Sequence, residues 1–244
     1  MPEATQKIFA RLQGDPRLAG FTLVGGTALA IQIGHRISED LDFNLFGPKL
    51  PIQVIDSLLA EWAAEGAQIE SLITPEQKSR FKINTSENLD HHIQDYLING
   101  AKVTFQSRHE GQRPKAQIDF LKSAPRVAVS KGGFDVMGLQ GLWVMKSIVV
   151  YDRVKSRDIY DLMVLSKDHG FTLDEAFAAI DAYQPIRDQD PEHFKRVVTG
   201  VMPLDPDDEG FASIHLNVKM GDVYSYFKSL INQHEIRLVQ RLRT

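Results

Sequence analysis

The residues best equipped for chemistry cluster near the N-terminus. Asp40 and Asp42 stand one residue apart in Ile37-Ser38-Glu39-Asp40-Leu41-Asp42-Phe43, a stretch that alternates polar and apolar positions as far as Phe46. That period predicts a strand over 37–46, with Asp40, Asp42, Asn44 and Phe46 on one face and Leu41, Phe43 and Leu45 on the other. Side chains two apart on a strand project together, with Cα atoms about 6–7 Å apart. Two carboxylates that close repel, and a divalent cation relieves the repulsion by taking an oxygen from each. Mg²⁺ characteristically takes one or two carboxylates and fills its shell with substrate phosphates and water. The pattern therefore suits metal-assisted phosphoryl or nucleotidyl transfer.

Upstream, the apolar run Phe21–Val24 ends in Gly25-Gly26, and Thr27 to Gln32 resumes helical spacing until Gly34. This reads as a strand, a glycine turn and a helix start. Glycines let backbone N–H groups approach a phosphate, and a helix beginning near Thr27 offers its positive end. Arg36 and Ser38, just ahead of the carboxylates, could hold phosphate oxygens.

A second set of candidates lies in the back half. Asp158 falls inside the apolar arc of a predicted helix with Ile159, Leu162 and Leu165. A buried carboxylate needs a partner. It is either structurally paired with Lys155 or Arg157, or part of a site with Asp161 in support. Lys146 sits on a helix with the stripe Leu142, Met145, Ile148 and Val149, where a lysine often only snorkels to the surface. Other chemistries are absent: no H-E-x-x-H, G-x-S-x-G or P-loop pattern occurs, and there is no cysteine. His91 and His92 would point to opposite faces of a strand, unable to share a metal.

The elements that must position these residues follow from periodicity. Helices are predicted over 3–13 and 51–65. Strands are predicted over Gln68–Ile73, Arg80–Asn84, His92–Ile98, Lys102–Gln106 and Gln117–Leu121, with turns at Asn99-Gly100 and Gly111–Pro114, as in an antiparallel meander. Beyond Pro125 the spacing is helical over 139–151, 157–167, 173–182, 193–201 and 223–242, with an acidic, proline-bearing loop at Pro203–Gly210. The fold class is therefore α+β, a mixed or antiparallel sheet with flanking helices over 1–125 followed by a helical region over 126–244.

With 244 residues, the chain is large enough for one or two domains without disulfide staples. Its net charge of −4 disfavours bulk electrostatic binding of long nucleic acid. Local basic patches remain at Lys146–Arg157 and in the tail, at Arg237, Arg241 and Arg243. No stretch is long and apolar enough to span a bilayer, and the charged N-terminus does not read as a signal peptide. The expected location is cytoplasmic, with no membrane partner.

The stretch VGGTALAIQIGHRISEDLDFNLF resembles motif I of the DNA polymerase β nucleotidyltransferase superfamily. It is most similar to the AbiEii/AbiGii toxins of abortive-infection and type IV toxin–antitoxin systems. Met145-Lys146 and Lys155-Ser156-Arg157-Asp158-Ile159-Tyr160-Asp161-Leu162 resemble a second block of that family. The resemblance covers about residues 20 to 170 and implies a polymerase β-like fold in 1–125. The 126–244 region would contribute Lys146, Asp158 and Asp161 to the cleft. It implies a nucleotidyltransferase in which Asp40 and Asp42 bind Mg²⁺ or Mn²⁺, and Gly25, Gly26, Thr27, Arg36 and Ser38 bind the nucleotide. Lys146 would reach triphosphate oxygens, with Asp158 and Asp161 as further catalytic residues. An NTP is the implied substrate, a tRNA 3′ end or a protein the acceptor, and a cognate antitoxin the partner. The usual third carboxylate is missing: Thr104 occupies one position where it could stand, which leaves Asp119 or no base. A catalytically silent nucleotide-binding or antitoxin-facing module, or a small-molecule nucleotidyltransferase, are the alternatives.

Overall fold

A computed structural model describes residues 1–109, 113–128, 132–183, 191–211 and 216–242. The chain forms two compact units, Met1–Gly138 and Leu139–Thr244.

The first unit is built on a seven-stranded sheet. Its strands are β1 (Phe21–Val24), β2 (Leu41–Leu45), β3 (Ile69–Ser71), β4 (Ile93–Ile98), β5 (Ala101–Ser107), β6 (Arg126–Ala128) and β7 (Asp135–Met137), in the order β3-β4-β5-β2-β1-β7-β6. β2 runs parallel to β5 and β1 parallel to β7, while the other pairs are antiparallel. The sheet is thus mixed. β1 is buried along its whole length, as a short uninterrupted apolar run predicts. β5 alternates buried and half-exposed positions, so Val103 and Phe105 face the core while Thr104 and Gln106 face away. In the core Phe43 stacks on Phe105 with centroids 5.5 Å apart and meets Phe134 edge-on at 4.8 Å.

Helices α1 (Glu3–Gln13), α2 (Gly25–Ile33), α3 (Ile52–Ala64), α4 (Pro75–Thr85) and α5 (Lys115–Ser123) complete this unit. α3 buries Ile55, Leu58, Leu59 and Trp62, a stripe at helical spacing.

Three expectations are corrected. Arg80–Asn84 lies inside α4, which starts at a capping box between Thr74 and Gln77 with Pro75 in its first turn. α4 buries nothing, so it carries no apolar stripe for periodicity to reveal. Gln117–Leu121 is also helical: α5 buries Gln117, Ile118 and Leu121, and a run that short fits either period. Finally, residues 126–138 belong with the sheet, because β6 and β7 extend it at the β1 edge. At three residues each, these strands are too short to show alternation. The Gly111–Pro114 turn falls partly outside the described residues.

The second unit holds α6 (Leu139–Val149), α7 (Ser156–His169), α8 (Leu173–Tyr183), α9 (Pro191–Val198) and α10 (Met220–Arg241). α6 is buried almost all round, including Leu142, Trp143, Val144 and Ile148, and packs on α7 and α8. α10 buries Val223, Phe227, Ile231 and His234 along one stripe.

Candidate active site

β1 passes directly into α2, and the junction is where the glycines act. Gly25 has φ +74°, in the left-handed region that favours glycine. A Cβ there would sit 2.7 Å from Asp42 Oδ2. The carboxylate of β2 is thus pressed against the first residue of α2, in register with Val24 across the β1–β2 ladder. A Cβ on Gly26 would collide with the Arg36 guanidinium and lie 3.0 Å from Ser38 Oγ. Two glycines therefore admit a carboxylate, a guanidinium and a hydroxyl to the N-terminal turn of one helix. The N-cap of α2 is Val24, which has no side-chain acceptor to offer that turn.

Thr27 and Ser38 lock the approach. Thr27 Oγ1 is 2.5 Å from the Asp40 carbonyl and 2.9 Å from Ser38 Oγ. A carbonyl only accepts, so the single Thr27 proton goes to Asp40 and the Ser38 hydroxyl supplies the other bond. Thr27 is fully buried, so its hydroxyl fixes the entry to β2. Arg36 is tied by a bond of 3.0 Å from Nη1 to the Ile37 carbonyl. Asp40 itself lies one residue before β2 begins, not on the strand.

Among the described residues no three His, Cys, Asp or Glu side chains are grouped to hold a metal. Mg²⁺ bound together with a nucleotide needs only one or two carboxylates. Asp42, at a helix N-terminus that also gathers Arg36 and Ser38, fits that requirement.

Sequence reasoning passed over one acidic residue here. The β2–β5 register sets Asp42 against Thr104, and the β4–β5 register sets Thr104 against Asp95. Residues paired this way share a face. Asp95 Oδ1 is buried with no hydrogen-bond partner. Only strand pairing, invisible in the sequence, exposes this row. Asp119 is elsewhere: it lies on α5, half-exposed and paired with Lys115 at 3.0 Å.

In the second unit, Lys146, Asp158 and Asp161 do meet. Lys146 Nζ is 2.5 Å from Asp158 Oδ1 and 2.7 Å from Asp161 Oδ2, and all three are buried. Lys146 is thus no snorkelling surface lysine. Arg153 adds a bond of 2.9 Å from Nε to Asp158 Oδ2, while its own side chain stays 53% exposed. It is the cluster's solvent-facing cation, a role the sequence did not signal. Burial is the largest single influence on Asp158 and pushes its pKa up. Lys146 and Arg153 together outweigh it and hold the carboxyl below its ordinary value, despite Asp161 nearby.

The partners of Asp158 are therefore Lys146 and Arg153, not Lys155 or Arg157. Those two pair instead with Asp207, at 2.5 Å, and Glu209, at 3.3 Å. Every cation of the basic stretch Lys146–Arg157 faces a carboxylate, so its positive charge is balanced within this unit. In the tail, Arg237 and Arg241 lie on α10, and Arg243 falls outside the described residues.

The mixed sheet with flanking helices has counterparts among solved structures. A crystal structure from H. pylori, described as a suspected nucleotidyltransferase, aligns over 98% of both chains with a TM-score of 0.52 at 16% identity. MenT4, the nucleotidyltransferase toxin Rv2826c of Mycobacterium tuberculosis H37Rv, aligns over 91% of this chain and 84% of that one, at 14% identity and a lower TM-score of 0.48. An uncharacterized protein of Aquifex aeolicus (strain VF5), aq_aa25, is 30% identical over 155 residues, which span 64% of this chain and 62% of that protein. The profile of the nucleotidyl transferase AbiEii toxins of type IV toxin–antitoxin systems matches residues 8–215. The chain belongs to the AbiEii nucleotidyltransferase toxin family. Among the described residues no helix is long and apolar enough to cross a membrane.

Proposed function

We propose that this protein transfers an NMP from an NTP to an acceptor hydroxyl as the toxin of a type IV toxin–antitoxin pair, acting in the cytoplasm. The observation that carries the reading is the close approach of Asp42 to Gly25, where a left-handed glycine lets a carboxylate meet the start of α2. Asp40 and Asp42 would hold Mg²⁺ or Mn²⁺, which when bound draws charge from the α-phosphate and leaving pyrophosphate. The Gly25-Gly26 backbone, Arg36 and Ser38 grip phosphate oxygens, and Thr27 keeps Ser38 and Asp40 in place. Lys146, Asp158 and Asp161 act as a fixed charged cluster, with Arg153 its solvent-facing cation. The acceptor oxygen bonds to the α-phosphorus, the α–β bridging bond breaks, and pyrophosphate leaves. Asp95, on the face of Asp42 and Thr104, is the better candidate than Asp119 to take the acceptor proton.

The acceptor is a tRNA 3′ end or a protein side chain, and a cognate antitoxin would be the protein partner. Thr104 beside Asp42 favours one second reading, a nucleotide-binding module without turnover. Incubation with Mg²⁺, each labelled NTP, and total bacterial RNA and protein separates the two. Label entering RNA or protein with wild type but not Asp42→Ala supports transfer and names the acceptor class. NTP binding without label in any acceptor favours the silent module.

A further inference from the structure

The acidic loop Pro203–Gly210, unassigned by the sequence, docks on the start of α7 almost residue for residue. Val154 and Asp205 exchange two bonds, Val154 N–H to Asp205 Oδ2 at 3.0 Å and Asp205 N–H to the Val154 carbonyl at 2.9 Å. Asp208 Oδ1 accepts from Ser156 N–H at 2.9 Å and from Ser156 Oγ at 3.0 Å. Its other oxygen accepts from Gly210 N–H at 3.2 Å, which orients the carboxylate. Asp207 and Glu209 flank these bonds, paired to Lys155 and Arg157. The Lys155 ammonium lies 2.5 Å from Asp207 Oδ1 and holds that carboxyl below its ordinary pKa. The Phe211 ring meets Tyr160 edge-on at 5.6 Å.

This contact supplies what α7 lacks. Its N-cap is Lys155, whose side chain has no hydrogen-bond acceptor, and no side-chain cap is formed by that residue. The first N–H groups of a helix need acceptors, and a carboxylate at that end also meets the helix dipole favourably. Ser156, fully buried, has its amide and hydroxyl taken by Asp208, from 52 residues away. Asp158 stands two residues later and Asp161 five, and these are the groups that grip Lys146. The pitch and position of the first turn of α7 therefore set where the cluster sits.

We propose that Asp208 is a positioning residue, the external cap that fixes α7 so that Asp158 and Asp161 hold Lys146 in working geometry. The catalytic part of the proposal rests on the nucleotidyltransferase reading. The structural part does not.

The test compares Asp208→Ala, Asp208→Asn and Asp207→Asn in the full chain. Amide hydrogen exchange is followed over residues 156–161, with kcat and KM for the NTP. In Asp208→Ala those amides should exchange at least tenfold faster, and kcat should fall at least tenfold with KM changed less than threefold. Asp208→Asn keeps an acceptor for Ser156 and should restore kcat to within about threefold, while Asp207→Asn should match wild type in both readouts. Should Asp208→Ala not fold, Ser156→Ala carries the test, removing one of the two bonds, with kcat expected to fall three- to tenfold. Unchanged exchange in Asp208→Ala, or faster exchange with kcat within twofold of wild type, overturns the proposal. If wild type transfers nothing, the functional reading fails, and exchange alone decides whether Asp208 fixes α7.

Discussion

Asp42 Oδ2 occupies the space that the Cβ of any residue but glycine at position 25 would enter, at 2.7 Å. Gly25→Ala should therefore harm the site twice. The left-handed backbone costs a side chain about 1–2 kcal/mol, and the methyl group displaces the carboxylate. The expected outcome is a melting temperature lower by about 2–8 °C and a loss of transfer comparable to Asp42→Ala. Thermal melts beside the label-transfer assay check this. Near-wild-type transfer in Gly25→Ala would show that the Asp42 carboxylate need not sit where it does.

Asp95 and Asp119 make a matched pair of carboxylates. Asp95→Asn should lower transfer at least tenfold, because Asp95 shares a face with Asp42 through Thr104. Asp119→Asn should leave transfer within twofold. It loses an exposed helical ion pair with Lys115 worth about 0.3–0.5 kcal/mol. Single-turnover rates for the two variants decide, and equal rates would remove Asp95 from the mechanism.

Lys146 and Arg153 touch the same carboxylate but should fail differently. Lys146→Met takes the buried ammonium from two buried aspartates, and breaking a buried pair from one side costs about 3–5 kcal/mol. Denaturant unfolding should show that loss. Arg153→Ala removes a half-exposed cation, so stability should change by less than about 1 kcal/mol. Equal losses of stability in the two variants would contradict this difference.

The lowered pKa of Asp158 predicts how stability responds to acid. Its folded-state pKa lies below the ordinary 3.8, so the unfolded chain binds more protons across that interval. The stabilisation is fully present above about pH 4 and is lost as pH falls through the lower folded value. Urea midpoints measured from pH 6 down to pH 3 should decline most steeply below pH 4. Asp158→Asn, already destabilised, should show a shallower decline. An equal slope would place the acid sensitivity on other carboxylates.

Much of the site-bearing part of the fold is legible without coordinates. The buried run of β1, the glycine turn, α2, Asp40 and the Asp42 carboxylate of β2 follow one another in the chain, so local spacing suffices to order them. The amphipathic stripes of α1, α3 and α10 are equally plain. α4 is not, because a helix that buries nothing has no stripe. β6 and β7 are not, because three residues cannot establish a period.

What the sequence determined by itself is the set of chemical groups and their local order: Gly25-Gly26 before Asp40 and Asp42, and Lys146 before Asp158 and Asp161. What only the tertiary structure decided is which of these groups meet. Lys155 and Arg157 are nearer to Asp158 in sequence than Lys146 or Arg153, yet Asp207 and Glu209 claim them. Asp95 joins the face of Asp42 only through two strand ladders. Charges pair according to distance and burial in space, and the chain brings remote segments together only when its apolar faces pack.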